Sequence, residues 1–417
     1  MILNQLAKRN RLNDKKSYYQ SLSKFTAPTR FGLMSLLLLL LMLVGCASAP
    51  ERQLSRESIP YVSLPSGHDP FEPAKMVHRG FDEGTIEHFE GLRGHALNIL
   101  QLSGGGQYGA FGAGFLKAWR EHGNRPLFDI VTGVSTGALL STHAFLGTPA
   151  DDAVLEAIFT GVGPGDVFQV RSIFSLINGA DAYYDTRPLQ RLLDKHITLD
   201  VLARVAANHR EGRRLYVGTT NIDYMQTWIW DMGAIAQQAD TDALALYKNV
   251  LRASAAPPIA FPPVEIDGHL FVDGGVRQNI VVVGLAGDRL PLEPKYGPGN
   301  VYVINNGKDV AQAHPLPRDA LQMAGPVINS LLTVAMDALL MRSYFAAKIH
   351  GYNWHIAAIP AQVDVGHNAL AFDPQQMRNS FDAGYALAQR PDAWQSTPPV
   401  IDDIPSWVFD YLQSQAN

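Results

Sequence analysis

The chain has one cysteine, Cys46, in 417 residues, so no disulfide can form within it. Lys and Arg total 34 against 39 Asp and Glu, a net charge of −5, and there is no basic excess to draw in nucleic acid. No H-E-x-x-H motif and no cysteine cluster is present, so no metal is expected. A phosphate-binding loop would need Gly-Lys-Ser/Thr, which is missing, and no other cofactor is implied. Internal repeats are absent. Long apolar runs are scarce too: Phe31–Val44, with leucine at every position from 36 to 41, stops short of the ~20 residues that cross a bilayer comfortably.

That run has a distinctive setting. Lys8, Arg9, Arg11, Lys15, Lys16, Lys24 and Arg30 precede it against one acid, Asp14, and Leu43-Val44-Gly45-Cys46-Ala47 closes it. A basic region, an apolar region and a small-residue exit make an export signal over residues 1–45. The closing residues resemble the lipobox of bacterial lipoproteins. The resemblance implies that Cys46 is acylated and anchors the protein in the cell envelope. Ala47, where an aspartate would retain such a protein at the inner membrane, favours the outer one. Residues 46–95, rich in Pro, Gly, Ser and charge, read as the lipidated N-terminus and a tether.

The body is expected over residues 96–390, with a C-terminal extension over 391–417. Ala96–Leu102 and Phe128–Thr132 read as buried strands, each running through a glycine turn into a helix, Ala110–His122 and Ala138–Leu146. This βαβα order predicts an α/β fold with a mostly parallel sheet flanked by helices, and ligands at the carboxyl ends of its strands. Arg214–Asn221, Met225–Asp231, Val301–Asn305 and Tyr352–Ile359 are further strands. Trp228 and Trp230 share one face, which the core should cover. Thr241–Ser254 and Asp373–Ala388 read as helices, and 321–350 carries a helical pattern broken at Gly325-Pro326.

The two glycine turns carry the chemistry. Gly133-Val134-Ser135-Thr136-Gly137 matches G-x-S-x-G, the turn that thrusts a serine hydroxyl out of a sheet, and it has the required strand–turn–helix setting. Ser103-Gly104-Gly105-Gly106-Gln107-Tyr108-Gly109 offers unhindered N–H groups at a helix start, where negative charge is stabilised. It also matches the dinucleotide fingerprint, but the second strand does not end in the acid that would hold a ribose, and that reading fails. A serine nucleophile needs a base. His314, His350, His355 and His367 lack a distinctive setting. Asp273, in Phe271-Val272-Asp273-Gly274-Gly275, follows a short apolar strand, where an ordinary Asp-Gly turn is the competing reading.

Taken together, the Ser103–Gly106 run with Gly109, the Gly133–Gly137 turn and the Asp273-Gly274-Gly275 block resemble the patatin-like phospholipases. So does Ala253-Ser254-Ala255-Ala256-Pro257 running to Phe261-Pro262-Pro263. The likeness spans roughly residues 96–280. It implies a three-layer sandwich with a nucleophile elbow and a Ser–Asp dyad without histidine. Ser135 would be the nucleophile, Asp273 the proton acceptor, and the amides of Gly104, Gly105 and Gly106 the oxyanion hole. The substrate would be a lipid or other ester. Two departures stand out: Tyr108 replaces a usual Arg or Lys, and Asn279 is followed by Ile280 rather than proline. The competing expectation is a lipid-binding or structural envelope lipoprotein that keeps the fold without catalysis.

Overall fold

Strand β1 (Asn98–Leu102) is wholly buried from its second residue on, and it forms the centre around which the sheet is laid. The computed structural model describes residues 93–172, 174, 179–282, 297–308, 335–348 and 351–399. The expected export signal over 1–45, Cys46, the expected tether as far as residue 92, His314 and His350 lie outside the described residues, as do residues 400–417. Apart from Gly179, the described residues fall in one compact unit.

Eight strands make the main sheet. Along it, β10 (Asn353–Ile359), β9 (Asn300–Lys308), β1, β2 (Ile130–Val134) and β5 (Arg214–Asn221) run parallel. Beyond them β6 (Gln226–Asp231), β8 (His269–Asp273) and β7 (Val264–Ile266) are antiparallel. A separate two-stranded ribbon joins β3 (Gln169–Val170) to β4 (Tyr184–Asp185). Strands buried on both faces read as unbroken apolar runs, which is why Asn-Ile-Leu-Gln-Leu and Ile-Val-Thr-Gly-Val were legible as sheet interior.

Alternate residues of these strands feed two cores. Leu100, Leu102, Val131, Leu215 and Val217 face α1 (Gly109–Glu121), α2 (Thr136–Leu146), α3 (Pro149–Thr160), α6 (Thr241–Ser254) and α8 (Pro374–Ala388). On the other face, Ile99, Ile130, Val134, Tyr216, Val301 and Val303 meet Met336 and Leu340 of α7 (335–348). The result is the expected three layers: helices, sheet, helix. Trp228 and Trp230 are buried in the first core, as their alternation predicts.

The helix at residues 321–350 is seen over 335–348, and its Gly325-Pro326 break falls outside the described residues. β9 runs three residues beyond the expected Asn305. The Leu199–Arg210 helix (α5) and Arg187–His196 (α4) had no counterpart in the sequence reading. Asp373 caps α8 by accepting the N–H of Gln376 at 2.9 Å, as its place before Pro374 predicts. In the 391–417 segment, Trp394 packs edge-on against Phe115 at 4.9 Å and Trp119 at 4.8 Å, and Gln395 bridges to Ile356 of β10.

Candidate active site

The sheet register brings two distant side chains together. β2 runs parallel to β5 and ends with Val134 opposite Gly218. β8 approaches the same strand from the other direction, with Asp273 opposite Thr219. The two strands meet end to end beside β5, so Ser135, the next residue after Val134, faces Asp273 across the junction. Ser135 Oγ donates to Asp273 Oδ2 at 2.6 Å, although 138 positions separate them.

The turn holding Ser135 is tight enough to explain its glycines. Ser135 itself has φ 55° and ψ −124°, a backbone state that non-glycine residues adopt rarely and at a cost. A Cβ on Gly133 would lie 2.4 Å from the carbonyl oxygen of Gly137, and one on Gly137 would lie 2.3 Å from that of Leu102. Both glycines are therefore required by close backbone approach. The Ser135 N–H donates to Ser254 Oγ at 2.9 Å, and the Ser254 hydroxyl donates to the Gly218 carbonyl at 2.6 Å. This chain of bonds ties the elbow to β5 and to the end of α6. The Ala253–Pro257 segment thus has a structural role that its sequence alone did not disclose.

Asp273 is buried. Its Oδ1 accepts the Gly275 N–H at 2.7 Å. Burial pushes the carboxyl up to about 6, opposed by the bonds from the Ser135 hydroxyl and the Gly275 amide. A carboxylate poised there is a far better proton acceptor than one at its ordinary value. Among the described residues, no histidine is bonded to Ser135 or Asp273. His355 sits on β10 instead, stacked on Tyr302 at 4.9 Å. No group of His, Cys, Asp and Glu suited to a metal occurs among the described residues.

The glycine run lies directly against the serine: a Cβ on Gly104 would be 3.0 Å from Ser135 Cβ. It is clamped by Asn306, whose N–H donates to Ser103 Oγ and whose side chain donates to the Ser103 carbonyl, both at 2.8 Å. A Cβ on Gly105 would meet the Asn306 carbonyl oxygen at 1.9 Å. Gly106 has φ 57°.

One expectation needs correction here. The Gly104 N–H is not free, because it donates to the Asn279 carbonyl at 3.1 Å. Asn279 comes from the loop after Asp273, whose position the sequence could not give. Among the described residues, the amides of Gly105 and Gly106 have no acceptor. Gly109 opens α1 rather than joining the row of amides, packed so that a Cβ would meet Thr136 Oγ1 at 2.2 Å. Gly274 likewise serves packing, with the Gly218 carbonyl oxygen 2.5 Å from where a Cβ would be.

Tyr108, where the resemblance leads one to expect a cation, is half-buried and donates to the Gly366 carbonyl at 3.2 Å. Burial pushes its phenol up to about 12, so it brings no charge to the site.

Similarity to known proteins covers this same stretch. Residues 100–285 match the family Patatin-like phospholipase. Calcium-independent phospholipase A2-gamma of Mus musculus is 29% identical over 206 residues, covering 46% of this chain and 26% of that protein. The cGAMP-activated phospholipase of Pseudomonas aeruginosa is 28% identical over 194 residues, covering 44% of this chain and 53% of that one. The chain thus spans about a quarter to a half of the length of these relatives. The crystal structure of VipD from Legionella pneumophila aligns with a TM-score of 0.37 and 12% identity, over 70% of this chain and 66% of that one. The elbow, the glycine run and the Asp273 block all fall inside residues 100–285, the stretch that matches the family Patatin-like phospholipase.

Proposed function

We propose that the protein is a serine-dependent lipid acyl hydrolase that cleaves carboxylic ester bonds without metal or cofactor. The observation that carries this reading is the 2.6 Å bond from the Ser135 hydroxyl to a buried carboxylate whose pKa is raised to about 6. Ser135 Oγ attacks the ester carbonyl carbon while Asp273 takes its proton. The carbonyl oxygen, now an anion, moves into reach of the Gly105 and Gly106 amides, with the N-terminal end of α2 adding its partial positive charge. Collapse of the tetrahedral intermediate breaks the bond to the alkoxy group, and Asp273 delivers the proton to the departing alcohol. Water then attacks the acyl-serine with Asp273 again as base, releasing the fatty acid and restoring both residues. The relatives carry phospholipase names, which favours phospholipid or lysophospholipid esters as the substrate class.

The domain is proposed to work from a membrane. Acylation of Cys46 at the end of the export signal would tether it to the cell envelope, with the outer membrane favoured by Ala47. Stable anchoring takes more than one acyl chain, which lipoprotein processing would supply.

Purified protein should hydrolyse short acyl esters and then lipid esters. Ser135→Ala and Asp273→Ala should each remove that activity with folding retained, the second by ~10²–10⁴. Full activity in either variant would refute the dyad. Cys46→Ser should release the protein from membranes or block its maturation. Unchanged processing and membrane retention would contradict lipidation.

A further inference from the structure

The β3–β4 ribbon displays apolar surface beside the segment that links the site residues. Val170 and Tyr183 are 62% and 46% exposed, and Ile259 is 80% exposed. Main-chain bonds join all three: Val170 pairs with Tyr184, and the N–H groups of Tyr183 and Tyr184 donate to the carbonyls of Ile259 and Ala260 at 2.8 and 2.9 Å. Ile259 lies between Ser254, which holds the Ser135 amide, and Asp273. It has φ 70°, a left-handed conformation that is a real outlier for a β-branched residue. A strained backbone that presents a large apolar side chain to water is not explained by folding alone.

Next to this surface is a cavity of about 630 Å³ lined by Arg171, Arg187 and Arg252 together with Asp185, Pro262 and Pro263. Asp185 pairs with Arg187 and Asp181 with Arg171, so of these three arginines Arg252 alone has no carboxylate bonded to it among the described residues, an excess of one positive charge. The Arg252 Nε is buried without an acceptor, and the Arg187 side chain is 79% exposed.

We infer that the ribbon and the Ile259 turn dock the domain on an anionic phospholipid surface, with lipid phosphates entering the arginine-lined cavity. The choice of lipid as occupant rests partly on the hydrolase reading, and two observations favour it further. Val170 and Tyr184 oppose each other across the ribbon, so Tyr183, the adjacent residue, turns to the other face. Tyr184 packs on Phe168 and Phe261, yet Val170 on that face and Tyr183 on the other both stay exposed, so a fluid that flows round the ribbon covers both and a flat protein partner only one. The excess arginine charge matches the negative potential of anionic lipid.

The test uses the full chain with an environment-sensitive nitrobenzoxadiazole dye on cysteine at Ile259→Cys, Val170→Cys and, as a control on α5, Leu199→Cys. Cys46 contributes equally to all three, and tethering through the N-terminus would not distinguish them. On adding phosphatidylcholine vesicles containing phosphatidylglycerol, emission at 259 and 170 should shift to the blue while that at 199 stays put. Adding Arg187→Glu to the 259-labelled protein should raise the lipid concentration for half the shift by about fivefold. Equal shifts at 259 and 199, or no effect of Arg187→Glu, would overturn the inference. The readout does not depend on turnover, so it stands or falls separately from the proposed activity.

Discussion

At the residue scale, the proposed mechanism requires Asp273 to be ionised when Ser135 attacks. Because burial raises its carboxyl to about 6, the rate on free substrate should climb with pH through about 6 and level off above 7. A profile whose acid limb lies at 4 would mean that the carboxylate is not the buried one described here. The same burial affects stability with a definite sign. The native state binds this proton more tightly than the unfolded chain does, so folding is favoured below about 4 and that advantage is lost as pH rises through about 6. Asp273→Asn removes the buried charge, and its melting temperature should exceed that of the native protein at pH 8, with the gain shrinking toward pH 4. Equal melting temperatures at both pH values would contradict the desolvation argument.

Much of this scale was legible in the sequence. Ser135 and Asp273 stand in glycine settings that few other roles require. Ser254, Asn279 and Asn306 were not legible as functional partners. They stand at the end of α6, in the loop after Asp273 and on β9, and no local pattern reports which carbonyl a distant amide will find. The Gly104 amide is the clearest instance: it reads as a free donor until Asn279 arrives.

At the element scale, the end-to-end meeting of β2 and β8 along β5 makes the site, and Ser254 at the end of α6 keeps the elbow in register. Ser254→Ala would leave the Ser135 N–H without its acceptor at 2.9 Å and free the Gly218 carbonyl. Such a loss costs about 1–3 kcal/mol where the group stays buried. The variant should therefore lose both melting temperature and turnover number while KM for a short ester changes little. An unchanged turnover number would show that the elbow holds its shape without this tie. At the start of α8, Asp373→Ala removes the cap and should cost about 1 kcal/mol, a fall of ~2–4 °C in melting temperature; the bond from its main-chain N–H to Gln107 Oε1 at 2.8 Å does not need the side chain, so activity should be kept.

Elements were readable in proportion to how local their determinants are. Buried strands, the α6 and α8 helices and the Asp373-Pro374 cap announce themselves through apolar runs and capping residues. The amphipathic α4 and α5 went unread because charged residues dominate them: Arg-Pro-Leu-Gln-Arg-Leu-Leu-Asp-Lys-His places only three of its residues in the core.

At the scale of the whole molecule, the proposed hydrolase site, the arginine-lined cavity with its apolar ribbon and the proposed acylation of Cys46 would together suit an enzyme that works at a membrane surface. Everything else depends on the Ser135–Asp273 pair. The most direct measurement is the rate at which a fluorophosphonate labels the purified protein, with the modified residue identified by peptide mass. Labelling should be confined to Ser135 and should slow by ~10²–10⁴ in Asp273→Asn. Labelling of a different residue, or equal rates in the two proteins, would contradict the dyad.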